Sequence, residues 1–168
     1  MEIEKENINL YQEIDEVYAR LREFEQETRQ INNPEELETL ELEITEITNR
    51  LKALLLQKKL QESLDSEKQQ EKEDELIRNW PVRMKSEGYE TVRILTTGGS
   101  YIFVRVRYYR RACDRRNGKR HKGVYGGLAL LGIHERCTPG LTAMVSAWSA
   151  LLSSFEEVRQ VLSDQGII

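Results

Sequence analysis

Two heptad stripes, separated by Asn32-Asn33-Pro34, set the strongest limit on what this chain can fold into. Ile3, Leu10, Ile14, Val17, Leu21 and Phe24 recur at intervals of seven, four, three, four and three residues. That spacing places them on one stripe of a helix, at a and d positions. The pattern stops at Asn32. Asn33 suits an N-cap, and Pro34 suits the first helical position, where a missing N–H costs nothing. Glu35 and Glu36 follow in the first turn, where the helix dipole favours negative charge. Leu37, Leu40, Ile44, Ile47, Leu51 and Leu54 form the second stripe, which runs on through Leu60 and Leu64.

Residues 2–64 therefore read as a helical hairpin. Each helix can bury its stripe against the other or against a second copy of the chain. Heptads alone identify no partner class. The plain reading is a self-packing scaffold or dimerisation stalk, and a partner-specific docking surface is the sharper one. Residues 65–76 (DSEKQQEKEDEL) hold almost nothing apolar and read as a solvated helix extension or a linker.

Charge divides the chain. Over all 168 residues the net charge is −4, which taken alone argues against a nucleic-acid binder. Residues 1–90 hold 13 Lys/Arg against 24 Asp/Glu, whereas residues 91–168 hold 12 against 5. The average thus hides an acidic half at −11 and a basic half at +7. An asymmetry of that size points to two jobs. No window reaches the roughly 18 apolar residues that a membrane-spanning helix needs. The first residues lack the basic and apolar regions of a secretory signal. With two cysteines there is no disulfide framework, so the expected location is cytoplasmic.

In the basic half the period changes. Trp80-Pro81 ends the helical region, because a residue before proline disfavours the α conformation. Residues 81–90 lead into β-like Thr91–Thr96, and Thr97-Gly98-Gly99-Ser100 supplies a turn. Residues 101–109 then alternate. Ile102, Val104, Val106 and Tyr108 are expected to face inward, with Phe103, Arg105, Arg107 and Tyr109 outward. From residue 105 to 122 there are nine Lys/Arg and one Asp, net +8 in 18 residues. Such density repels itself unless it meets a polyanion, and phosphate is the natural partner. The DNA-binding candidates are Arg105, Arg107, Arg110, Arg111, Arg115, Arg116, Lys119, Arg120 and Lys122. They point to contacts with the nucleic-acid backbone and carry no base sequence. The plainer alternative is a solvated basic loop without a ligand.

The glycines of 123–133 invite a phosphate-loop reading, but no Gly-Lys-Ser/Thr follows. A buried extended segment passing close to other backbone fits better. Thr138 and Pro139 look like an N-cap and a first helical residue. Leu141, Met144, Val145, Trp148, Leu151 and Leu152 follow at helical spacing. Ser154-Phe155-Glu156-Glu157 is a capping box opening another helix, with Val158, Val161 and Leu162 on its apolar face and Gly166 as a stop. Two helices joined by so short a turn suggest the start of a helix-turn-helix unit.

Cys113, His121, His134 and Cys137 do not match a common zinc module, so no metal and no cofactor are expected. Asp114, Glu135, Glu156, Glu157 and Asp164 sit at no strand end where a metal-dependent nuclease would hold its acids, so no catalytic residue is assigned.

The whole gives an α+β, mostly α, fold in four parts. Residues 1–64 form an antiparallel coiled-coil hairpin, and 65–90 a charged helix extension and linker. Residues 91–122 form a basic β-hairpin with an Arg/Lys-rich loop. Residues 123–168 form a Gly-rich segment and two helices of an incomplete helix-turn-helix-like unit.

Arg107-Tyr108-Tyr109, the basic run, the wording from Gly126 to Pro139 (GGLALLGIHERCTP) and Leu152–Val158 (LSSFEEV) together resemble the N-terminal region of cyanobacterial insertion-sequence transposases of the Kra type. The acidic leader, with Asn33-Pro34-Glu35-Glu36-Leu37 between its helices, is similar to the one those proteins carry. The resemblance implies a DNA-binding portion that recognises transposon ends. In that family a ribonuclease-H-like domain, whose acids hold two divalent metals, follows. Here the chain stops where the reading helix is expected, which implies a truncated copy, inactive alone and nucleoid-associated. Its partners would be DNA and, through residues 3–64, a second copy or an intact transposase. The alternative is a coiled-coil interaction protein whose basic segment binds an acidic protein.

Overall fold

The structure is a computed structural model that describes residues 2–112, 123–152, 154–164, 166 and 167, with side chains from residue 9 onward. The chain is α+β and mostly helical, with six helices and a three-stranded antiparallel sheet among the described residues. Its contacts divide it into two compact units, Met1–Lys58 and Lys59–Ile168.

In the first unit α1 (Glu2–Gln26) and the opening turns of α2 (Pro34–Asp65) form the hairpin. Asn33 caps α2 by accepting a 2.8 Å hydrogen bond from the Glu36 N–H, and the Glu36 carboxylate accepts one of 2.8 Å from the Asn32 N–H. One donor orphaned at the helix start and the N–H just before the cap are thereby satisfied. Leu10, Ile14 and Leu54 pack together with Val17 beside them, and Ile47 is buried. Arg50 pairs with Glu13, Arg29 with Glu43 at 2.6 Å, and Lys58 lies 4.4 Å above the Tyr11 ring. The predicted stripe is only partly covered. Leu37 is 46% exposed and Ile44 41%. Two helices share one seam, so the flanks of each stripe stay open unless a third helix or another chain covers them. Ile3 belongs to the residues whose side chains are not described.

In the second unit the charged stretch is a helix of its own. Ser66 caps α3 (Glu67–Arg78), and its hydroxyl accepts from the Gln69 N–H. Strands β1 (Met84–Leu95) and β2 (Tyr101–Arg111) form the hairpin, so β1 starts seven residues before the expected Thr91. Residues 84–90 escape a period-2 reading because all but Met84 are exposed, and a register shift between Ser86 and Gly88 breaks the alternation. The core lies on the inner face: Ile94 and Ile102 are fully buried, with Val92, Val104 and Val106 almost so. Complete burial of a side chain of this size contributes about 1.5–3 kcal/mol.

The Gly-rich segment is extended only at β3 (Val124–Tyr125), which pairs with Tyr108 and Tyr109. Residues 126–130 coil into the short helix α4 (Gly126–Leu130) instead of staying extended. The expected close approach is there. A Cβ on Gly126 would lie 2.6 Å from a Glu73 carboxylate oxygen, and one on Gly127 2.6 Å from a Leu64 methyl. These glycines let α4 settle on α3 and the end of α2, which is their use in place of a phosphate loop.

Helices α5 (Pro139–Leu151) and α6 (Phe155–Asp164) close the fold. Thr138 caps α5 with Pro139 in its first turn, and Ser154 and Glu157 form the reciprocal capping box, both bonds 3.2 Å. The Gly166 N–H donates to the Ser163 carbonyl and the Ile167 N–H to Leu162, both 2.9 Å, the Schellman pattern. Leu141, Val158, Leu162 and Ile167 form a small core, with Leu95 and Trp148 packed against it. Leu151, expected on the apolar stripe, is 80% exposed, because α5 ends there and the next residue is extended.

Candidate nucleic-acid interface

The hairpin register decides which cations share a face. Side chains directly opposite each other in an antiparallel pair project to the same side. Toward the open end, Lys85 stands opposite Arg110 and Met84 opposite Arg111, and the Ala112 N–H donates to the Arg83 carbonyl at 2.9 Å. Arg83, Lys85, Arg110 and Arg111 are all exposed. Like charges directly opposite destabilise a sheet. A hairpin that places Lys against Arg is relieved by an anion bridging the two. Arg110 lies 5.6 Å from the Tyr108 ring centre. The Tyr108 hydroxyl, helped by the nearby charges of Glu87 and Glu90, keeps its guanidinium above the ordinary range.

Arg105 is built in by its backbone. Its N–H donates to the Gln61 side-chain oxygen at 2.8 Å, and its carbonyl accepts from the Gln61 amide at 3.2 Å. Gln61 thus occupies the edge of β2 as a short strand would. The Arg105 guanidinium rests 4.9 Å from the centre of the Tyr89 ring.

Arg107 is differently placed. Its side chain is 19% exposed and pairs with Asp74 of α3 at 2.7 Å, while a second contact of 3.1 Å reaches the Tyr109 hydroxyl. Burial opposes its charge, but Tyr89, Tyr109 and Glu73 outweigh that and hold its pKa above the usual range. Tyr109, expected on the outward face, is 4% exposed. Helices α3 and α4 cover that end of the sheet, and burial pushes the Tyr109 hydroxyl up to about 12. Tyr108, expected inward, is half-buried beside Tyr125, their ring centres 4.9 Å apart. The alternation therefore holds for 102–107 and is overridden where the sheet is covered on both faces.

Under Arg107 lies Glu73, 4% exposed. Burial raises its pKa, Arg107 and Tyr109 partly oppose the rise, and one of its oxygens has no hydrogen-bond partner among the described residues. Acids of α3 thus hold one predicted contact residue in place and neutralise it.

Arg115, Arg116, Lys119, Arg120 and Lys122 lie outside the described residues, as do Cys113 and His121. Cys137 is a free, half-buried thiol and His134 is exposed. Among the described residues no group of three or more His, Cys, Asp or Glu is arranged to hold a metal ion. No helix of the described chain is long and apolar enough to cross a membrane.

Sequence reasoning missed Arg83, Lys85 and Tyr89, because their strand was started too late. A signal existed. Strands of a tight hairpin match in length, so a β2 running past residue 107 demands a β1 reaching back before Thr91. Compared with protein-family models, curated proteins and solved structures, the chain finds no match.

Proposed function

We propose that the chain is a DNA-binding portion of an insertion-sequence transposase, which holds transposon ends through phosphate contacts. One observation carries the reading. The hairpin's open end, with Lys85 opposite Arg110, Arg111 on the next rung opposite Met84, and Arg83 bonded through its carbonyl to Ala112, leads directly into the basic run that ends at Lys122. Arg105, Arg110, Arg111, Arg115, Arg116, Lys119, Arg120 and Lys122 contact phosphate, and Asp74 holds Arg107 back. Residues 3–64 bring two copies together, a role supported by the open flanks at Leu37 and Ile44. Strand cleavage is not assigned to this chain.

The test is fluorescence anisotropy with a labelled 20-base-pair duplex at low salt. Arg110→Glu with Arg111→Glu is expected to weaken binding by about tenfold or more. Unchanged affinity would refute the interface. Arg115→Glu with Arg116→Glu separates the acidic-protein alternative, which predicts loss of a protein partner and no change in DNA affinity.

A further inference from the structure

The outer face of the hairpin carries more than charge. Four rungs line it: Tyr89 beside Arg107, which Asp74 holds, Thr91 beside Arg105, Arg93 beside Phe103, and Leu95, packed on the small C-terminal core, beside Tyr101. None of these eight residues is itself acidic, and Asp74 of α3 meets the face at Arg107. Tyr89 is 48% exposed, Tyr101 45% and Phe103 51%, whereas the inner face of the same strands is sealed. Arg93 lies 4.2 Å from the centre of the Tyr101 ring and Arg105 4.9 Å from that of Tyr89. Half-exposed rings interleaved with guanidinium planes, on a rigid sheet, suit a polyanion with flat apolar groups.

Spacing narrows the occupant. Successive rungs on one face are about 6.8 Å apart, so Tyr101 and Phe103 are one such step apart and Tyr89 lies two steps further from Phe103. Bases in a duplex are stacked about 3.4 Å apart along each strand, and their faces are closed to a protein ring. Only an unpaired, extended strand offers base faces at the wider interval, with its phosphates free to meet Arg93 and Arg105.

We infer that this face binds single-stranded DNA by stacking bases on Tyr89, Tyr101 and Phe103. The inference rests on the nucleic-acid reading above and adds the state of the DNA. The open end of the hairpin and the basic run grip phosphates of either form, while this face selects the unpaired one.

The experiment compares a labelled 20-nucleotide thymidine strand with a 20-base-pair duplex on the full chain at one salt concentration. The wild type is expected to bind the single strand about tenfold or more tightly. Tyr101→Ala and Phe103→Ala each lower single-strand affinity by about tenfold and leave duplex affinity unchanged. Phe103→Leu keeps apolar bulk and loses the affinity, whereas Phe103→Trp keeps it. Far-UV circular dichroism confirms that each variant is folded. Duplex binding without a single-strand preference overturns this inference and spares the phosphate reading. Binding to neither form overturns both. Equal binding by Phe103→Leu, or a change in oligomeric state in place of affinity, shows that the face packs protein and overturns the stacking.

Discussion

Gly99 ties the tip of the hairpin to the C-terminal helices, and its substitution tests that tie. It sits in the turn between β1 and β2 with φ +71°. A Cβ there would lie 2.0 Å from the Gly166 carbonyl oxygen and 3.1 Å from the Ile167 Cα. Both are backbone atoms of the Schellman turn that ends α6, so neither can swing aside as a side-chain tip would. The left-handed conformation costs a residue with a Cβ about 1–2 kcal/mol, and pushing packed backbone apart adds about 1–3 kcal/mol. Gly88 supplies the control. Its φ is +107°, but a Cβ there meets nothing within 4 Å, so Gly88→Ala carries backbone strain alone. The expected loss is about 2–5 kcal/mol for Gly99→Ala and about 1–2 kcal/mol for Gly88→Ala. At about 4 °C per kcal/mol for a unit of this size, the midpoints fall by about 8–20 °C and about 4–8 °C. Thermal unfolding followed by circular dichroism and tryptophan fluorescence reads both, since Trp148 packs on the core that holds Ile167. Equal midpoints for the two variants would refute the contact between hairpin tip and C-terminal cap.

Glu73 gives a pH signature. Burial raises its folded pKa above the unfolded one, so its stabilising contribution is whole below about pH 4 and is lost as pH rises through the folded value. Glu73→Gln is therefore expected to melt above the wild type at pH 8, with the gap closing toward pH 4; a gap independent of pH would contradict the assignment. Asp74→Asn releases Arg107, and duplex affinity is expected to rise, with the slope of log K against log salt steeper by about 0.9 if one phosphate contact is gained. An unchanged slope would mean that Arg107 stays out of the interface. Asn33→Ala removes the cap of α2 and should cost about 1 kcal/mol in chemical denaturation, whereas Asn33→Asp should restore most of it.

Much of the local structure was legible because its causes are local. Asn33-Pro34, Thr138-Pro139 and the Ser154–Glu157 box each satisfy helix-end donors from within four residues, and each forms as its side chains dictate. The inner face at Ile102, Val104 and Val106 followed from period-2 alternation on a sheet with one buried side. The covering of Tyr109 and Arg107 on that outward face was missed for a non-local reason. Their burial depends on α3 (Glu67–Arg78) and α4 (Gly126–Leu130), which come to the outward face from well before and well after the strand. Nothing in the strand itself announces a second cover. Glu73 belongs to the same class. Within an acidic, solvent-like helix it reads as one more surface charge, and only the close approach of Gly126 shows that it is buried. The cationic candidates were legible as a run, but their division was not: Arg110 and Arg111 face solvent, whereas Asp74 claims Arg107.

The salt dependence of duplex binding tests the central reading most directly. Four to eight phosphate contacts give a slope of log K against log salt of about −4 to −7. A slope shallower than about −1, or no binding at low ionic strength, would contradict a phosphate-gripping interface.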